Sequence, residues 1–284
     1  MNVANQESRA IPLNAFNYLV HGRHGWFLAN CNDFYIGNAL IRYGEYGELE
    51  GQFLASLVKP GDTIVEVGAN IGTHTIPLAQ KVGAQGSVIA IEVQPPIFHY
   101  LCANIALNGL FNVTTHACGC GATSEIMTIP RMDYAAPHSQ NFGGVSLSRG
   151  NQGIPVNVIP LDDLLASITK INLLKLDVEG MEGEVLKGAT HTIAHHRPRI
   201  YLENDRPENS QALIEQLMAM DYRLWWHIPP LFNPGNFFGV QENVFGNVAS
   251  FNMLCLPRET QTPVVGQTEI TDASFHPLGK EQGR

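Results

Sequence analysis

The stretch that decides the fold is GDTIVEVGANIGTHT, residues 61–75. Its first part, Thr63–Val67, is a short run of β-branched and apolar residues, which is typical of a strand buried inside a parallel sheet. A glycine-rich turn, Gly68–Gly72, follows at once. A helix is expected next, from about Thr73 to Val82, with Pro77 in its first turn, where a missing N–H does little harm. A strand, a glycine turn and a helix in succession predict one unit of an α/β fold.

The same alternation continues along the chain. Three more short segments are expected to be strands, with helical patterns between them: SVIAI (87–91), NVTTH (112–116) and INLLKL (171–176). Such a pattern predicts a doubly wound parallel sheet with helices on both faces. Sheets of this kind bind ligands at the carboxyl ends of their strands. The loops that follow each strand are therefore the candidate functional segments.

The chain divides into three predicted parts. Residues 58–257 form the α/β domain, and residues 1–57 form a small β/α extension that precedes it. Within the extension we expect a strand at Asn38–Arg42 and a helix from Glu48 to Val58. Residues 258–284 are polar and without periodicity, and a flexible tail is predicted there.

Composition and charge narrow the class of protein. Hydrophobic residues make up 44% and charged residues 15% of 284, which predicts a packed core. The net charge of -9 disfavours nucleic acid as a partner, because that requires basic surface. The first residues lack the pattern of a signal peptide, no apolar run is long enough to span a membrane, and five scattered cysteines suggest a reducing compartment. A cytoplasmic protein is expected, and a homo-oligomer is compatible with this composition.

The first glycine loop indicates a nucleoside site without phosphates. The loop lacks the Gly-Lys-Ser/Thr of a P-loop and the G-x-G-x-x-G of dinucleotide-binding folds. Glu66 stands directly before it, and a carboxylate there would oppose a phosphate but favour an amino group or a sulfonium. Glu92 ends the second strand, where a carboxylate can accept hydrogen bonds from both ribose hydroxyls. S-adenosylmethionine combines an adenosine, a positive sulfur and an amino-acid tail, and it fits this pattern.

With these residues in view, the chain resembles the FkbM family of S-adenosylmethionine-dependent methyltransferases. The likeness extends over about residues 40–257 and rests on a combination of segments. They are GDTIVEVGANIGTHT (61–75), IAIEVQP (89–95), LDDLL (161–165), INLLKLDVEGMEGEVLKGA (171–189), PLFNPGNFFG (230–239) and SFNMLCLP (250–257). The resemblance implies a Rossmann-like, seven-stranded class I methyltransferase sheet. It also implies methyl transfer, usually to a hydroxyl oxygen, with polyketides and sugars among the family's substrates.

The resemblance assigns cofactor contacts to particular residues of this sequence. His74 and Thr75 lie where side chains face the methionine end of the cofactor, and Val93 packs beside the adenine. Cys118 follows the third strand, where such folds edge the adenine; many relatives have an acid nearby, whereas this chain has CGCGAT. The full set of predicted cofactor-binding residues is Glu66, Gly68, Ala69, Asn70, Gly72, His74, Thr75, Glu92, Val93 and Cys118.

The predicted catalytic residues are Asp177, Glu179 and Glu203, at the ends of the fourth and fifth strands. A positioned carboxylate there could take the proton of an acceptor hydroxyl as it attacks the methyl group. Asp177, Glu203 and Asn204 also offer the oxygen ligands that Mg²⁺ prefers, although no metal ligand is assigned from the sequence. Glu179 alternatively complements the dipole at the start of the following helix.

The leading interpretation is an S-adenosylmethionine-dependent methyltransferase, most simply an O-methyltransferase that acts on a small molecule, a secondary metabolite, a sugar or a glycan. A nucleotide- or dinucleotide-binding oxidoreductase is one alternative, and the missing G-x-G-x-x-G counts against it. A non-catalytic binding module on the same fold is another. Both Glu66 and Glu92 are present, which counts against that reading.

Overall fold

A seven-stranded sheet forms the centre of the computed structural model, which describes residues 10–137, 140–150 and 152–279. Its strands are β4 (Thr63–Val67), β5 (Ser87–Ile91), β6 (Val113–His116), β10 (Leu173–Leu176), β11 (Arg199–Glu203), β12 (Tyr222–His227) and β13 (Asn252–Pro257). The strand order is β12-β13-β11-β10-β4-β5-β6, and β13 runs antiparallel to both of its neighbours. The predicted seven-stranded Rossmann-like sheet is therefore confirmed.

Helices cover both faces of this sheet, because alternate residues of each buried strand point to opposite sides. On one face, Leu174 and Leu176 of β10 pack in a core with residues of α6 (Glu182–Lys187), α7 (Thr190–His196) and α8 (Pro207–Ala219). On the other face, Leu173 packs with residues of α2 (Glu48–Ser56) and α3 (Thr75–Val82). Two further helices are α4 (Pro95–Leu107) and the short α5 (Leu161–Leu164).

The N-terminal extension is a three-stranded antiparallel sheet followed by two helices. The strands are β1 (Ala10–Pro12), β2 (Asn17–Gly22) and β3 (Gly25–Asn30), and the first helix is α1 (Ile36–Tyr43). The strand predicted at Asn38–Arg42 is wrong, because these residues lie within α1. Ile36, Leu40 and Tyr43 recur at helical spacing and are all buried, so a helix hides this apolar face better than a strand.

Between β6 and β10 lies an inserted sheet of β7 (Gly119–Cys120), β8 (Glu125–Ile129) and β9 (Ile154–Ile159). The long loop between β8 and β9 returns toward the central sheet, where the Gln94 side-chain amide donates to the carbonyl of Phe142 over 2.8 Å. In the part of the chain that is described, no helix has both the length and the apolar character needed to cross a membrane.

The segment after β13 packs along the edge strand β12. The backbone N–H of Ile270 donates to Leu224 over 2.8 Å, and that of Trp226 donates to Thr268 over 3.2 Å. Further along, the His276 ring nitrogen Nε2 is 2.8 Å from the carbonyl oxygen of Asn204, just after β11. This is the stretch for which a flexible tail is predicted, and its last residues, 280–284, lie outside the described residues.

Candidate active site

A cavity of about 300 Å³ opens at the carboxyl ends of the central strands, where the alternation of strands and helices predicts a ligand site. Most of the predicted site residues line it, and only Gly72 and Thr75 do not. The predicted residues that line the cavity are Glu66, Gly68, Ala69, Asn70, His74, Glu92, Val93, Cys118, Asp177, Glu179 and Glu203.

The glycine loop after β4 approaches the end of β10 too closely for a side chain. Gly68 has a φ of 84°, and a Cβ built on it would lie 1.8 Å from the carbonyl oxygen of Asp177. Asn70 stands where many glycine loops have a further glycine, and it adopts a φ of 49°, which asparagine tolerates better than most residues. Gly68 therefore brings the first loop and the predicted catalytic strand end together.

Glu92 connects the ends of β4 and β5. Its Oε2 accepts the backbone N–H of Asn70 over 2.9 Å, and its Oε1 accepts that of Gln94 over 2.8 Å. Burial raises the pKa of Glu92 to about 7, even though these backbone donors favour the ionised form. Each carboxylate oxygen has more than one lone pair, so Glu92 can also accept ligand hydroxyls.

Glu66 is engaged inside the protein. Thr75 donates its hydroxyl to Glu66 Oε2 over 2.6 Å, and the Nζ of Lys175 lies 3.7 Å from Glu66 Oε1. Thr75 is fully buried in this contact, which is why it does not reach the cavity. The structure thus gives Glu66 two internal partners, whereas the sequence suggested a direct partner of the ligand.

Three carboxylates meet at the ends of β10 and β11. Asp177, Glu179 and Glu203 each place an oxygen within 4.8 Å of the others. Burial, followed by the charge of Asp177, raises the pKa of Glu179 to about 7 and that of Glu203 well above its usual range. Arg206 offsets part of this for Glu179 by donating to its Oε2 over 3.0 Å, whereas Glu203 Oε2 is buried without a hydrogen bond.

Asn204 does not join this carboxylate group. Its amide nitrogen donates to the hydroxyl of Ser210 over 2.8 Å, and the residue is not part of the cavity lining. Asn204 is the first residue after β11, and its side chain turns to Ser210 of α8, whereas Glu203 lines the cavity. The grouping of Asp177, Glu203 and Asn204 considered for Mg²⁺ is therefore not formed; Glu179, not Asn204, lies beside the other two carboxylates.

Glu179 also differs from its alternative reading as a helix-terminal acid. Glu182 makes the contacts at the start of α6, where its Oε1 accepts the backbone N–H groups of Val178 and Gly180 over 3.1 and 3.3 Å. Glu179 instead has a φ of 55°, a conformation uncommon for a residue with a side chain, and it faces the cavity. Strain of this kind clusters at functional sites.

Sequence reasoning missed several polar residues of the cavity, among them Glu50, Lys175, Ser250 and Asn252. Lys175 is 2% exposed and donates to Asp177 Oδ2 over 3.2 Å. Burial lowers its pKa, but the charges of Asp177, Glu66 and Glu50 outweigh this, so the pKa is raised. A lysine inside the apolar run INLLKL was a usable signal, because a buried charge requires a partner.

Comparison with known proteins identifies the family and several relatives of this chain. A family model described as "Methyltransferase FkbM domain" matches residues 66–224, which is more than half of the chain. "Methyltransferase 1" of Beauveria bassiana (strain ARSEF 2860) is 32% identical over 148 residues, covering 45% of this chain and 59% of that protein. "Methyltransferase sdnD" of Sordaria araneosa is 27% identical over 185 residues, covering 55% of this chain and 71% of that protein.

Among solved structures, the methyltransferase FkbM from Methylobacillus flagellatus KT aligns with a TM-score of 0.44 and 16% identity, covering 76% of this chain and 52% of that one. The fold and the cavity at its strand ends define the class: a Rossmann-like class I methyltransferase fold. Within that class, the chain belongs to the methyltransferase FkbM family.

Proposed function

We propose that this protein transfers the methyl group of S-adenosylmethionine to a hydroxyl oxygen of a small molecule, a secondary metabolite, a sugar or a glycan. The observation that carries the proposal is the placement of Glu92. It directly follows β5, beside a glycine loop that has no phosphate-binding residues, and it lines the same cavity as the carboxylates of Asp177, Glu179 and Glu203. Family membership supports the same reaction class.

The geometry of the chain supports a role for each of these residues. Glu92 accepts the ribose hydroxyls, while Gly68, Ala69 and Asn70 line the space for the nucleoside. When bound, S-adenosylmethionine supplies the electrophilic methyl carbon. One of the three carboxylates at the ends of β10 and β11 takes the proton of the acceptor hydroxyl. In water, a hydroxyl group does not readily lose this proton. Holding both partners in line supplies much of the rate.

A magnesium ion at the acceptor end is a second part of the proposal. Asp177, Glu179 and Glu203 would hold it, since their oxygens lie within 4.8 Å of one another and Glu203 Oε2 has no hydrogen bond. When bound, Mg²⁺ would stabilise negative charge on an acceptor oxygen. Calorimetric titration of the protein with S-adenosylhomocysteine, once in Mg²⁺ and once in EDTA, tests this, with Glu203→Gln as the variant. Identical binding heats of the wild-type protein in the two conditions would contradict it.

The test of the main proposal is calorimetric titration with S-adenosylhomocysteine. The wild-type protein should bind it with a micromolar Kd. Glu92→Ala should weaken binding about tenfold or more, because the ribose hydroxyls lose a charged acceptor. Glu125→Ala is the matched control, since Glu125 is a glutamate of β8 that is paired with Arg149 away from the cavity. Equal affinity of the wild-type protein and Glu92→Ala would contradict the assignment.

A further inference from the structure

One corner of the cavity contains both a positive and a negative side chain, whereas among the described residues the end proposed for the ribose has no positive one. We propose that this corner binds the amino-acid tail of S-adenosylmethionine, with Lys175 and Asn252 at the α-carboxylate and Glu50 at the α-ammonium. The inference rests on the proposed function and adds to it residues outside the glycine loop. They come from three elements: α2, β10 and β13.

The charges of the lining residues indicate which corner of the cavity binds the tail. The tail of the methyl donor is a zwitterion, so its site must offer both a positive and a negative partner. Among the described residues that line the cavity, Lys175 is the one lysine or arginine. Burial and, after it, the charge of Lys175 lower the pKa of His74 to about 4, so that side chain is neutral near pH 7. A bound carboxylate therefore finds its cation at Lys175.

Lys175 keeps donor capacity for such a ligand. An ammonium group has three N–H donors, and Lys175 makes one hydrogen bond, to Asp177. Its contact with Glu66 is longer, at 3.7 Å. A carboxylate can therefore bind Lys175 without displacing Asp177.

Asn252 supplies a second donor. The residue is 3% exposed and lines the cavity, and its amide lies near the carboxyl of Glu50 and favours the ionised form of that group. Its amide nitrogen nevertheless makes no hydrogen bond of ordinary geometry. A buried amide N–H without a partner is costly, and native proteins rarely leave one so. A ligand carboxylate would complete its hydrogen bonding. His74, which is 7% exposed with Nε2 likewise unpartnered, lies in the same corner.

Glu50 provides the negative partner. It stands in the first turn of α2, is 6% exposed and lines the cavity 4.0 Å from His74 Nδ1. Burial raises the pKa of Glu50 to about 7, an effect that the charge of Lys175 and the neighbouring Asn252 amide partly offset. An arriving ammonium would favour the ionised carboxylate.

Three ligands that differ only in their tails distinguish the site of the α-carboxylate from that of the α-ammonium. S-adenosylhomocysteine has the full tail, its decarboxylated analogue keeps only the amine, and methylthioadenosine has neither. Asn252→Ala should weaken S-adenosylhomocysteine about tenfold and leave the other two ligands within a factor of about two. Glu50→Gln should weaken S-adenosylhomocysteine and the decarboxylated analogue about tenfold, and spare methylthioadenosine.

Glu92→Gln is the matched control, because all three ligands share the ribose and should lose affinity by one common factor. If Asn252→Ala and Glu50→Gln also weaken all three ligands equally, they act on the structure and the inference is wrong. If they change none, the corner faces the acceptor instead, which also overturns it. Failure of the wild-type protein to bind any of the three would contradict the proposed function itself, and the inference with it.

Discussion

At the scale of single residues, Gly68 couples the two halves of the site. Its φ of 84° favours glycine, and the carbonyl oxygen of Asp177 occupies the space that a side chain would need. The loop proposed to hold the nucleoside and the strand end that carries Asp177 can therefore meet only at a residue without a Cβ. This contact sets the distance between the proposed cofactor and acceptor ends of the cavity.

Replacing Gly68 by alanine tests this coupling. Gly68→Ala should lower the free energy of unfolding by about 3 kcal/mol or more, because backbone strain adds to a clash with backbone that cannot rotate away. Gly61→Ala is the matched control: its φ is 87°, but a Cβ there meets nothing within 4 Å. It should cost only the strain, about 1 kcal/mol. Urea denaturation measures both, and equal losses would refute the clash.

Single residues can be predicted from the sequence where a charged side chain stands directly after an apolar strand. Glu92 and Asp177 each directly follow an apolar strand, and both line the cavity that this position predicts. The sequence does not single out Glu50, because nothing in it distinguishes this residue from other acids of helices. Glu50 belongs to the site only because it faces a cavity that is completed by strands far along the chain. Thr75 was assigned to the ligand because sequence does not show that Glu66 already binds its hydroxyl.

At the scale of elements, the segment after β13 extends the edge of the sheet. Arg223 of β12 makes a bidentate ion pair with Glu269, at 2.9 and 2.8 Å, and Ile270 is 5% exposed in the core that contains β10 and β11. The segment reads as polar and aperiodic because only a few of its side chains point inward. Its contacts are long-range, which periodicity within the segment does not reveal.

Two substitutions measure how firmly this segment is held. Ile270→Ala should lower the free energy of unfolding by about 2–4 kcal/mol through lost burial and a residual cavity. Val265→Ala, at a residue of the same segment that is 87% exposed, should change it by less than about 0.5 kcal/mol. Chemical denaturation followed by circular dichroism gives both values. Similar small effects would mean that the segment adds little to stability.

At the scale of the whole molecule, buried carboxyls make stability depend on pH. Burial raises the pKa values of Glu50, Glu92 and Glu179 to about 7, above their unfolded value near 4.5. The folded state therefore binds more protons than the unfolded state between these two values, and stability falls as pH rises through that window. Burial lowers the pKa values of His74 and His227 to about 4, which makes stability rise with pH, but only up to about 6.5.

The two sets of groups oppose each other below about pH 6.5, and the carboxyls outweigh the fading contribution of the histidines above it. The ligand-free protein should therefore lose about 1–2 kcal/mol of stability between pH 6.5 and pH 8, seen as a melting temperature lower by several degrees. Glu92→Gln removes one of the titrating groups and should make this decrease smaller. Thermal unfolding at matched ionic strength checks both expectations. A melting temperature that is constant or rises between pH 6.5 and 8 would mean that these carboxyls are already ionised in the folded protein, and that a counter-charge other than Lys175 and Arg206 offsets their burial.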